Sequence, residues 1–399
     1  MTTDTPPQKF RVLSLLILAE VLAMSLWFVS AAVLVEMDNE VTLGESAKAA
    51  LSSAVQAGFV VGALVVAISG VADRLDPRVV FAFSICAAGL ANLCLLWAPI
   101  GGALAIILRG ITGAFLAGVY PVGMKIATGW GQRDRGLLVG LVIGGLTLGT
   151  AAPHLLAWLG GADWRMTVMV ASSLAALAAV LVVLTQTGPY HAKSPRFDPS
   201  ALKLAWTDIR LRRAYGGYLG HMWELFIYWA WLGLALHQSF AVQLPADEAL
   251  SLSKLIAFIA IGAGSVSCVW VGWQADKHGK AELAIASLVA SGVCALLFAL
   301  AFEGPVWLVS SIAIVWGMAV IADSAQFSAL VADYAPPEST GTLMAFQLAI
   351  GFSMTAITVQ FAPWVAQSFG WPVLMAVLAL GPVFGIWSMW GLRRAAVRQ

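Results

Sequence analysis

Charged residues are scarce in this 399-residue chain, at 11% of the sequence, whereas hydrophobic residues make up 60%. Soluble domains average about 25% charged and about 45–50% apolar residues. The 22 basic and 21 acidic residues nearly balance, while nucleic-acid binding needs a clustered basic face. The composition therefore indicates a polytopic membrane protein and predicts no nucleic-acid partner.

Cysteine is also rare, and nucleotide-binding and catalytic signatures are missing. The four cysteines form no CxxC pair, which argues against a disulfide framework or a thiolate metal site. GxGxxG and Walker patterns are absent, and no Ser-His-Asp set can be assembled. We therefore predict no cofactor, no bound metal and no enzymatic activity.

Long hydrophobic segments are the main feature that is present. A window of about 19 residues finds twelve, each near the roughly 20 residues that cross a bilayer. Gly-rich apolar runs of this length are typical of helices and not of membrane barrels. The predicted spans are 12–36, 47–71, 79–98, 101–127, 136–160, 165–184, 214–236, 253–274, 281–302, 306–331, 342–366 and 372–392.

Basic residues favour one side of these spans. If the N-terminus is cytoplasmic, 18 of the 22 Lys and Arg residues lie on the cytoplasmic side. Arg109 is inside a span, and only Lys48, Arg165 and Lys254 fall at the outer edge. Because cytoplasmic loops carry an excess of basic residues, we predict both termini inside. The chain is expected in the cytoplasmic (inner) membrane as a multi-pass protein with an uncleaved first helix.

One polar segment, residues 185–213, divides the chain into two sets of six spans. We predict a first bundle over 1–184, a cytoplasmic linker over 185–213 and a second bundle over 214–399. Residues 201–213 of the linker can form an amphipathic surface helix.

An internal repeat supports this division. Such a parallel duplication of six helices is typical of transporters. Three matched pairs recur at nearly one offset: Asp73 and Asp276, Gly136 and Gly341, and Trp164 and Trp371, which are 203, 205 and 207 residues apart.

The second copy of the repeat carries a loop motif. GWQADKHGK, from Gly272 to Lys280, resembles the cytoplasmic loop signature of the major facilitator superfamily, Gly-xxx-Asp-Arg/Lys-x-Gly-x-Arg/Lys, with its last basic residue one position early. The first copy keeps a basic residue as Arg78, but Ser69 and Asp76 replace its glycines. LRGITGAFLAG in the fourth span resembles the embedded arginine motif of the same superfamily.

The fifth span resembles the antiporter glycine motif of that superfamily through Gly136, Gly145 and Gly149. Thr150 stands where the motif has proline, and Pro153 follows three residues later. Gly140, Gly144, Gly145 and Gly149 are expected along one helix face. Helix packing and a direct role in antiport both remain possible, since small residues let backbones approach closely.

The resemblance implies an all-α fold of 12 transmembrane helices in two six-helix bundles that transports solutes. It also implies that the two loop copies act as latches that close the cytoplasmic side and break as the protein turns inward-facing. The alternative is ordinary polar loop chemistry. The predicted latch residues are Asp73, Arg74, Arg78, Gly272, Asp276, Lys277, Gly279 and Lys280.

Ionisable side chains occur deep in four hydrophobic spans, where they are costly unless they face a cavity or a partner. They are Glu20, Arg109, the pair His221 and Glu224, and Asp323. The resemblance implies that these four spans line a central cavity. We therefore predict one proton-coupling and cavity site made of these residues.

Several roles remain open within this site. Tyr218, His221 and Glu224 share a helical face, which indicates either a proton site led by Glu224 or a static network in which Glu224 satisfies its neighbours. Asp323 is a candidate for substrate contact, a gate interaction or packing in a wet vestibule. Arg109 needs a carboxylate, a backbone cage or an anionic substrate, because it stays charged.

Neutral candidates for lining the cavity are Gln56, Tyr218, Trp223 and Gln347. His154 either donates a local hydrogen bond or takes part in proton transfer. One arginine against three carboxylates disfavours an inorganic anion as substrate.

These features predict a proton-gradient-driven secondary transporter of a small organic solute, a monomer whose two bundles rock within the lipid bilayer. The prediction leans to export by antiport. Import of an organic anion or metabolite by proton symport is the alternative, and a non-transporting receptor or scaffold is a further one.

Overall fold

The computed structural model describes residues 6–131, 134–161, 163–190 and 198–396, and the regular secondary structure of these residues is helical with no strand. We call the described residues up to 190 the first half and those from 198 the second half. The first half contains α1 (Pro6–Met24), α2 (Val29–Ala32), α3 (Leu34–Glu40), α4 (Glu45–Ser69), α5 (Val71–Arg74), α6 (Pro77–Leu93), α7 (Ala103–Leu116), α8 (Tyr120–Thr128), α9 (Arg135–Leu159) and α10 (Trp164–Val183). The second half contains α11 (Leu204–Thr207), α12 (Ile209–Phe240), α13 (Ala246–His278), α14 (Lys280–Leu300), α15 (Val306–Ile321), α16 (Ser324–Tyr334), α17 (Thr340–Phe369), α18 (Trp371–Leu378) and α19 (Leu380–Ala396). Short 3-10 turns cover Cys94–Trp97 and Pro199–Lys203.

Ten segments of the described chain are long and apolar enough to cross a membrane. The two predicted spans outside this set correspond to α1 and α12. α1 carries Lys9, Arg11 and Glu20 within 19 residues, and α12 contains His221 and Glu224 among many aromatic residues. For α1 and α12, membrane crossing stays a prediction.

The prediction of an amphipathic helix over 201–213 is wrong. The chain forms a 3-10 turn and the four-residue α11, and α12 then begins at Ile209. Asp208 fixes this start, because its carboxylate accepts hydrogen bonds from the backbone N–H groups of Arg210 (2.7 Å) and Leu211 (3.4 Å).

Three of the predicted spans are interrupted by two or more residues, and a fourth is interrupted at the single residue Ala379. The longer breaks separate α1 from α2, α7 from α8, and α15 from α16, and the short one separates α18 from α19. Backbone groups freed at membrane depth are tolerated where they are buried in protein or line a cavity. The breaks therefore point to the place where polar chemistry is concentrated.

Helix packing within each half is extensive, and two helix pairs form the largest contacts between the halves. α4 packs on α7, and α6 on α10, in the first half, while α12 packs on α19, and α13 on α15, in the second. Between the halves, α9 packs along α13 and α4 along α17.

The glycines of α9 serve two interfaces. A Cβ at Gly140 would lie 3.2 Å from the Cys268 carbonyl oxygen of α13, whereas a Cβ at Gly149 would lie 2.5 Å from the Val21 carbonyl oxygen of α1. Gly144 faces α13 and Gly145 faces α1 in the same way. The prediction of a single glycine face is wrong, because residues 144 and 145 are separated by about 100° around the helix.

Two further fifth-span positions also lie in packed surroundings. The carbonyl oxygen of Gly136 would lie 3.5 Å from a Cβ at Gly272 of α13. Pro153 lies inside α9, which continues through it to Leu159. The α9–α13 contact between the halves therefore extends to the end of the bundle where α9 begins.

Candidate functional site

A small cavity lies between the two halves. Its volume of about 40 Å³ holds a few water molecules but no organic solute, so the halves are closed around it. None of its described lining residues is Asp, Glu, Lys, Arg or His. The lining residues are Trp27, Tyr120, Ile143, Leu146, Thr150, Tyr218, Met222, Leu225, Phe226, Trp229, Ile321, Ser324, Ser328, Leu348 and Phe352.

Aromatic rings from both halves pack at this cavity. The ring centroids of Phe59 and Phe352 are 4.3 Å apart, and those of Trp27 and Phe226 are 5.9 Å apart. These contacts cross between the halves, so they must separate whenever the cavity opens. We call this set the inter-half aromatic cluster, and it consists of Trp27, Phe28, Phe59, Phe226, Trp229 and Phe352.

Arg109 is fully buried and is held by carbonyl oxygens. Its Nη2 donates to the carbonyl oxygens of Leu26 (3.1 Å) and Trp27 (2.5 Å), and its Nη1 donates to Asn92 Oδ1 at 3.0 Å. The break between α1 and α2 supplies these carbonyls. Of the partners considered for Arg109, the structure shows a backbone cage, and within the described residues it forms no ion pair with a carboxylate.

The second-half ionisable residues separate into two groups. His221 Nδ1 lies 2.8 Å from Asp323 Oδ1, and both side chains are buried. Glu224 instead accepts hydrogen bonds from Trp316 Nε1 (2.7 Å) and Ser291 Oγ (2.8 Å). The static network in which Glu224 satisfies His221 or Tyr218 is therefore wrong, because its oxygens are directed toward α14 and α15.

The His221–Asp323 pair lies beside the cavity. His221 stacks on Tyr218, with ring centroids 6.2 Å apart, and Tyr218 lines the cavity. Asp323 occupies the break between α15 and α16 and precedes Ser324, another lining residue.

Glu20 differs from the other deep carboxyl groups. Its side chain is fully buried, and neither oxygen has a hydrogen-bond partner among the described residues. A Cβ at Gly123 of α8 would lie 2.6 Å from Glu20 Oε2. Gly123 is one helical turn from Tyr120, which lines the cavity, so Glu20 and the cavity both adjoin α8.

The neutral candidates lie in different surroundings. Tyr218 lines the cavity. Trp223 does not, because its Nε1 donates to the Val377 carbonyl oxygen of α18 at 3.2 Å. Gln56 and Gln347 are fully buried, and the Gln347 amide has no hydrogen-bond partner among the described residues.

His154 of α9 is also buried, and neither ring nitrogen has a hydrogen-bond partner in the described part of the chain. A Cβ at Gly233 of α12 would lie 3.0 Å from its Cε1. No group of three His, Cys, Asp or Glu residues among the described positions is arranged to hold a metal ion.

A family model named Major Facilitator Superfamily matches residues 15–359 of the chain. The chain belongs to the Major Facilitator Superfamily. It is accordingly a membrane transporter and not an enzyme, and the family resemblance of its sequence motifs is confirmed. No curated protein shows significant similarity to it.

Solved structures of this superfamily share the fold. A nucleoside transporter, NupG, is 15% identical with a TM-score of 0.72, covering 95% of this chain and 99% of its own. A bacterial homolog of the human lysosomal transporter Spinster, in an inward-facing and occupied conformation, is 15% identical with a TM-score of 0.72, covering 98% of both chains. The xylose transporter XylE from E. coli, partially occluded and inward-open, is 13% identical with a TM-score of 0.73, covering 96% of this chain and 98% of its own.

The superfamily loop residues lie at the end of the bundle where α1 begins, which we call the terminal face. The side chains of Asp73 and Asp276 lie outside the described part of the structure. Arg78 pairs with Asp76 (2.5 Å) and donates to the Thr185 carbonyl oxygen (2.9 Å), while Lys280 pairs with Asp333 at 2.6 Å.

The other loop residues have local contacts. Lys277 lies over the Trp273 ring, 4.4 Å from its centroid, and Arg74 ends α5. Gly279 joins α13 to α14 with φ +86°, a left-handed value that favours glycine. Gly272 packs against the backbone of Gly140.

The opposite end of this superfamily fold, which we call the distal face, holds an ion pair that the sequence did not reveal. Lys254 of α13 pairs with Glu36 of α3 and donates to the carbonyl oxygens of Ala157 (3.2 Å) and Gly161 (3.1 Å). A second inter-half bond runs from Ser53 Oγ to Gln360 Oε1 at 2.6 Å. Charge spacing gave no signal for this pair, because 218 residues separate its members.

Glu40 forms a separate contact of the distal face, within the first half. It accepts hydrogen bonds from Arg165 Nη2 (2.6 Å) and Nη1 (2.8 Å) and from Trp164 Nε1 (2.9 Å). The Arg165 guanidinium, followed by the Trp164 indole, lowers the Glu40 pKa from 4.5 to about 2.

Proposed function

We propose that the protein is a proton-coupled secondary active transporter of a small organic solute in the cytoplasmic (inner) membrane. In this proposal α1 and α12 also cross the bilayer, which gives twelve spans in two six-helix bundles over 1–184 and 214–399. The terminal face is cytoplasmic, as the distribution of basic residues favours. The bundles rock about the α9–α13 and α4–α17 contacts and expose the cavity to each side in turn.

The observation that carries the proton coupling is the Glu20 carboxyl group, fully buried without a hydrogen-bond partner in the described residues. An ionised carboxylate in such a place is costly, because no donor or cation offsets its loss of water. In the closed state Glu20 therefore carries a proton. Opening of the cavity beside Tyr120 admits water to Glu20 and lets the proton leave.

The His221–Asp323 pair supplies the second-half counterpart. It borders the cavity through Tyr218 and Ser324, so these two residues connect it to a solute or a proton that enters the cavity. Glu224, with its two hydrogen-bond donors, stays a candidate proton carrier that does not line the cavity.

The test uses purified full-length protein in sealed proteoliposomes with an imposed pH gradient. A panel of nucleosides, sugars and aromatic amphiphiles is supplied together, and accumulated solute is identified by mass spectrometry. We expect gradient-driven accumulation that Glu20→Gln abolishes and that Glu248→Gln, a change at an exposed position of α13, leaves intact.

Each other outcome has a defined meaning. If accumulation by the unchanged protein does not depend on the pH gradient, transport is not coupled to protons. Loss of coupling in Glu224→Gln, but not in Glu20→Gln, transfers the role to Glu224. The orientation of the gradient that drives accumulation decides between the proposed export by antiport and import by symport.

A further inference from the structure

The central cavity combines aromatic rings with unpaired donors. The indoles of Trp27 and Trp229 both line it, at 2% and 1% exposure, and neither Nε1–H has an acceptor among the described residues. A buried donor left without an acceptor costs free energy. Two such donors at one cavity therefore favour a solute that brings hydrogen-bond acceptors.

The rings around these donors set the shape of the solute. Phe59 and Trp27 of the first half lie 4.3 Å and 5.7 Å from Phe352 of the second half, measured between ring centroids. Ring pairs at such distances are stabilised by offset or edge contacts. When the halves separate, a flat solute replaces ring-to-ring contacts with ring-to-solute contacts of the same kind.

The charge of the cavity limits the solute further. The described lining carries five residues with hydroxyl groups but no charged side chain; the five are Tyr120, Thr150, Tyr218, Ser324 and Ser328. A charged solute would lose its hydration without gaining a counter-charge in the lining. The closed cavity therefore excludes ions more strongly than neutral molecules.

We infer that this cavity binds an uncharged, flat heteroaromatic solute that is rich in hydrogen-bond acceptors, with the indole N–H groups of Trp27 and Trp229 as its donors. This inference names the substrate class of the proposed transporter and so rests on that function. The aromatic rings stack on the faces of the solute, and the two indole N–H groups donate hydrogen bonds to acceptors at its edge.

Three water-soluble probes test the charge and the flatness of the solute separately, and variants of the two indoles test its acceptors. Caffeine is flat, uncharged and has acceptors but no donors, 1,3-dimethylurate is flat but anionic, and xylose is uncharged but not flat. Binding to full-length protein in nanodiscs is measured by titration calorimetry without any ion gradient, with empty nanodiscs as the blank.

We expect caffeine to bind at least about tenfold more tightly than either other probe. Trp27→Phe and Trp229→Phe each keep a ring but remove one donor, and each should weaken caffeine binding about two- to tenfold, the range for one hydrogen bond. Trp387→Phe is the matched control, because Trp387 is 74% exposed on α19 and does not line the cavity. The melting temperature of each unliganded variant checks that folding is unchanged.

The inference is overturned if caffeine does not bind up to its solubility limit, if xylose or dimethylurate binds as tightly, or if both indole variants bind caffeine as well as the control. Failure of the proposed function has a different signature. Caffeine binding without proton-driven flux leaves the cavity assignment standing and removes proton-coupled transport. Proton-driven accumulation of xylose without caffeine binding supports proton-coupled transport and overturns the cavity assignment.

Discussion

Lys254 and Glu36 form a buried ion pair that joins the two halves at the distal face. Their residues are 5% and 6% exposed, and the lysine also donates to two carbonyl oxygens at the end of α9. Removal of one partner from a buried pair leaves an uncompensated charge and costs about 3–5 kcal/mol. The pair therefore favours the conformation in which the distal face is closed.

We predict that Lys254→Met shifts the protein toward a state open at the distal face. Spin labels at two exposed positions of that face, Val41 in the first half and Val242 in the second, report the separation of the halves in a background without the four native cysteines. Double electron–electron resonance measures the distance between the two labels, and its distribution should gain a longer component. Glu36→Gln should act in the same direction.

Lys48→Met is the control for this experiment. Lys48 lies on the same face and pairs with Asp38 (2.8 Å) and Glu45 (3.0 Å), both in the first half. Its removal breaks ion pairs without separating the halves, so the distance distribution should not change. Identical distributions for Lys254→Met and the unchanged protein would show that the Lys254–Glu36 pair does not hold the face closed.

Arg109 leads to a prediction about stability. Its guanidinium satisfies the carbonyl oxygens of Leu26 and Trp27 and the amide oxygen of Asn92. Arg109→Gln leaves buried acceptors unpaired, at a cost of about 1–3 kcal/mol each. Arg109→Lys should recover only part of this loss, because an ammonium group cannot match the geometry of the planar fork.

Thermal unfolding of the purified protein in detergent measures these losses. Arg212→Gln, a change at an exposed position of α12, should leave the melting temperature close to that of the unchanged protein. An Arg109→Gln protein as stable as Arg212→Gln would argue against the carbonyl cage as a structural support of the α1–α2 break.

The sequence was sufficient to predict the all-helical class, the superfamily and ten of the spanning segments. It also identified Glu20, Arg109, His221, Glu224 and Asp323 as buried groups, because charged residues are rare in the predicted spans that hold them. These inferences depend on composition along single segments. Hydropathy reports burial at membrane depth well, since the energetic cost of exposing a charge to lipid is large.

Pairing between segments could not be predicted in the same way. Glu224 was grouped with His221 because three residues separate them, yet Glu224 is bonded to Trp316 and Ser291 on other helices. Trp27 and Phe59 gave no signal, since an aromatic residue in an apolar segment looks the same whether it faces lipid or a cavity. Which face of a helix meets a neighbour depends on packing geometry that a single sequence does not display.

Close packing of α4 on α7 gives a prediction about the arginine motif. A Cβ at Gly113 would overlap the Val55 carbonyl oxygen of α4, a backbone atom that cannot rotate away. Gly113→Ala should therefore destabilise the protein by about 1–3 kcal/mol or more. The yield of monodisperse protein in size-exclusion chromatography and its melting temperature should both fall.

Gly341→Ala is the matched control, because a Cβ at Gly341 in the first turn of α17 meets nothing within 4 Å. It should be neutral or stabilise the helix by up to about 1 kcal/mol, since alanine loses less backbone entropy. Equal behaviour of the two variants would show that α4 and α7 separate easily enough to admit a methyl group.

Glu40 gives a prediction about pH. Its pKa is about 2 in the folded protein, against 4.5 as the ordinary value, mainly because Arg165 donates to the carboxylate. A carboxyl group whose folded pKa is depressed adds stability that is fully present above the unfolded pKa and is lost as pH falls through the folded pKa. The contribution of Glu40 is therefore complete at neutral pH and disappears between about pH 4.5 and pH 2.

We predict that Glu40→Gln lowers the melting temperature at pH 7 and that the difference from the unchanged protein shrinks as pH falls from 4.5 toward 2. The effect should be small, because Arg165 and Glu40 are both more than a third exposed and water screens such pairs. Glu303→Gln, at an exposed position of the loop between α14 and α15, supplies the baseline for loss of a carboxylate. A Glu40→Gln difference that is constant over this pH range would mean that the Arg165 contact does not depend on the charge of Glu40.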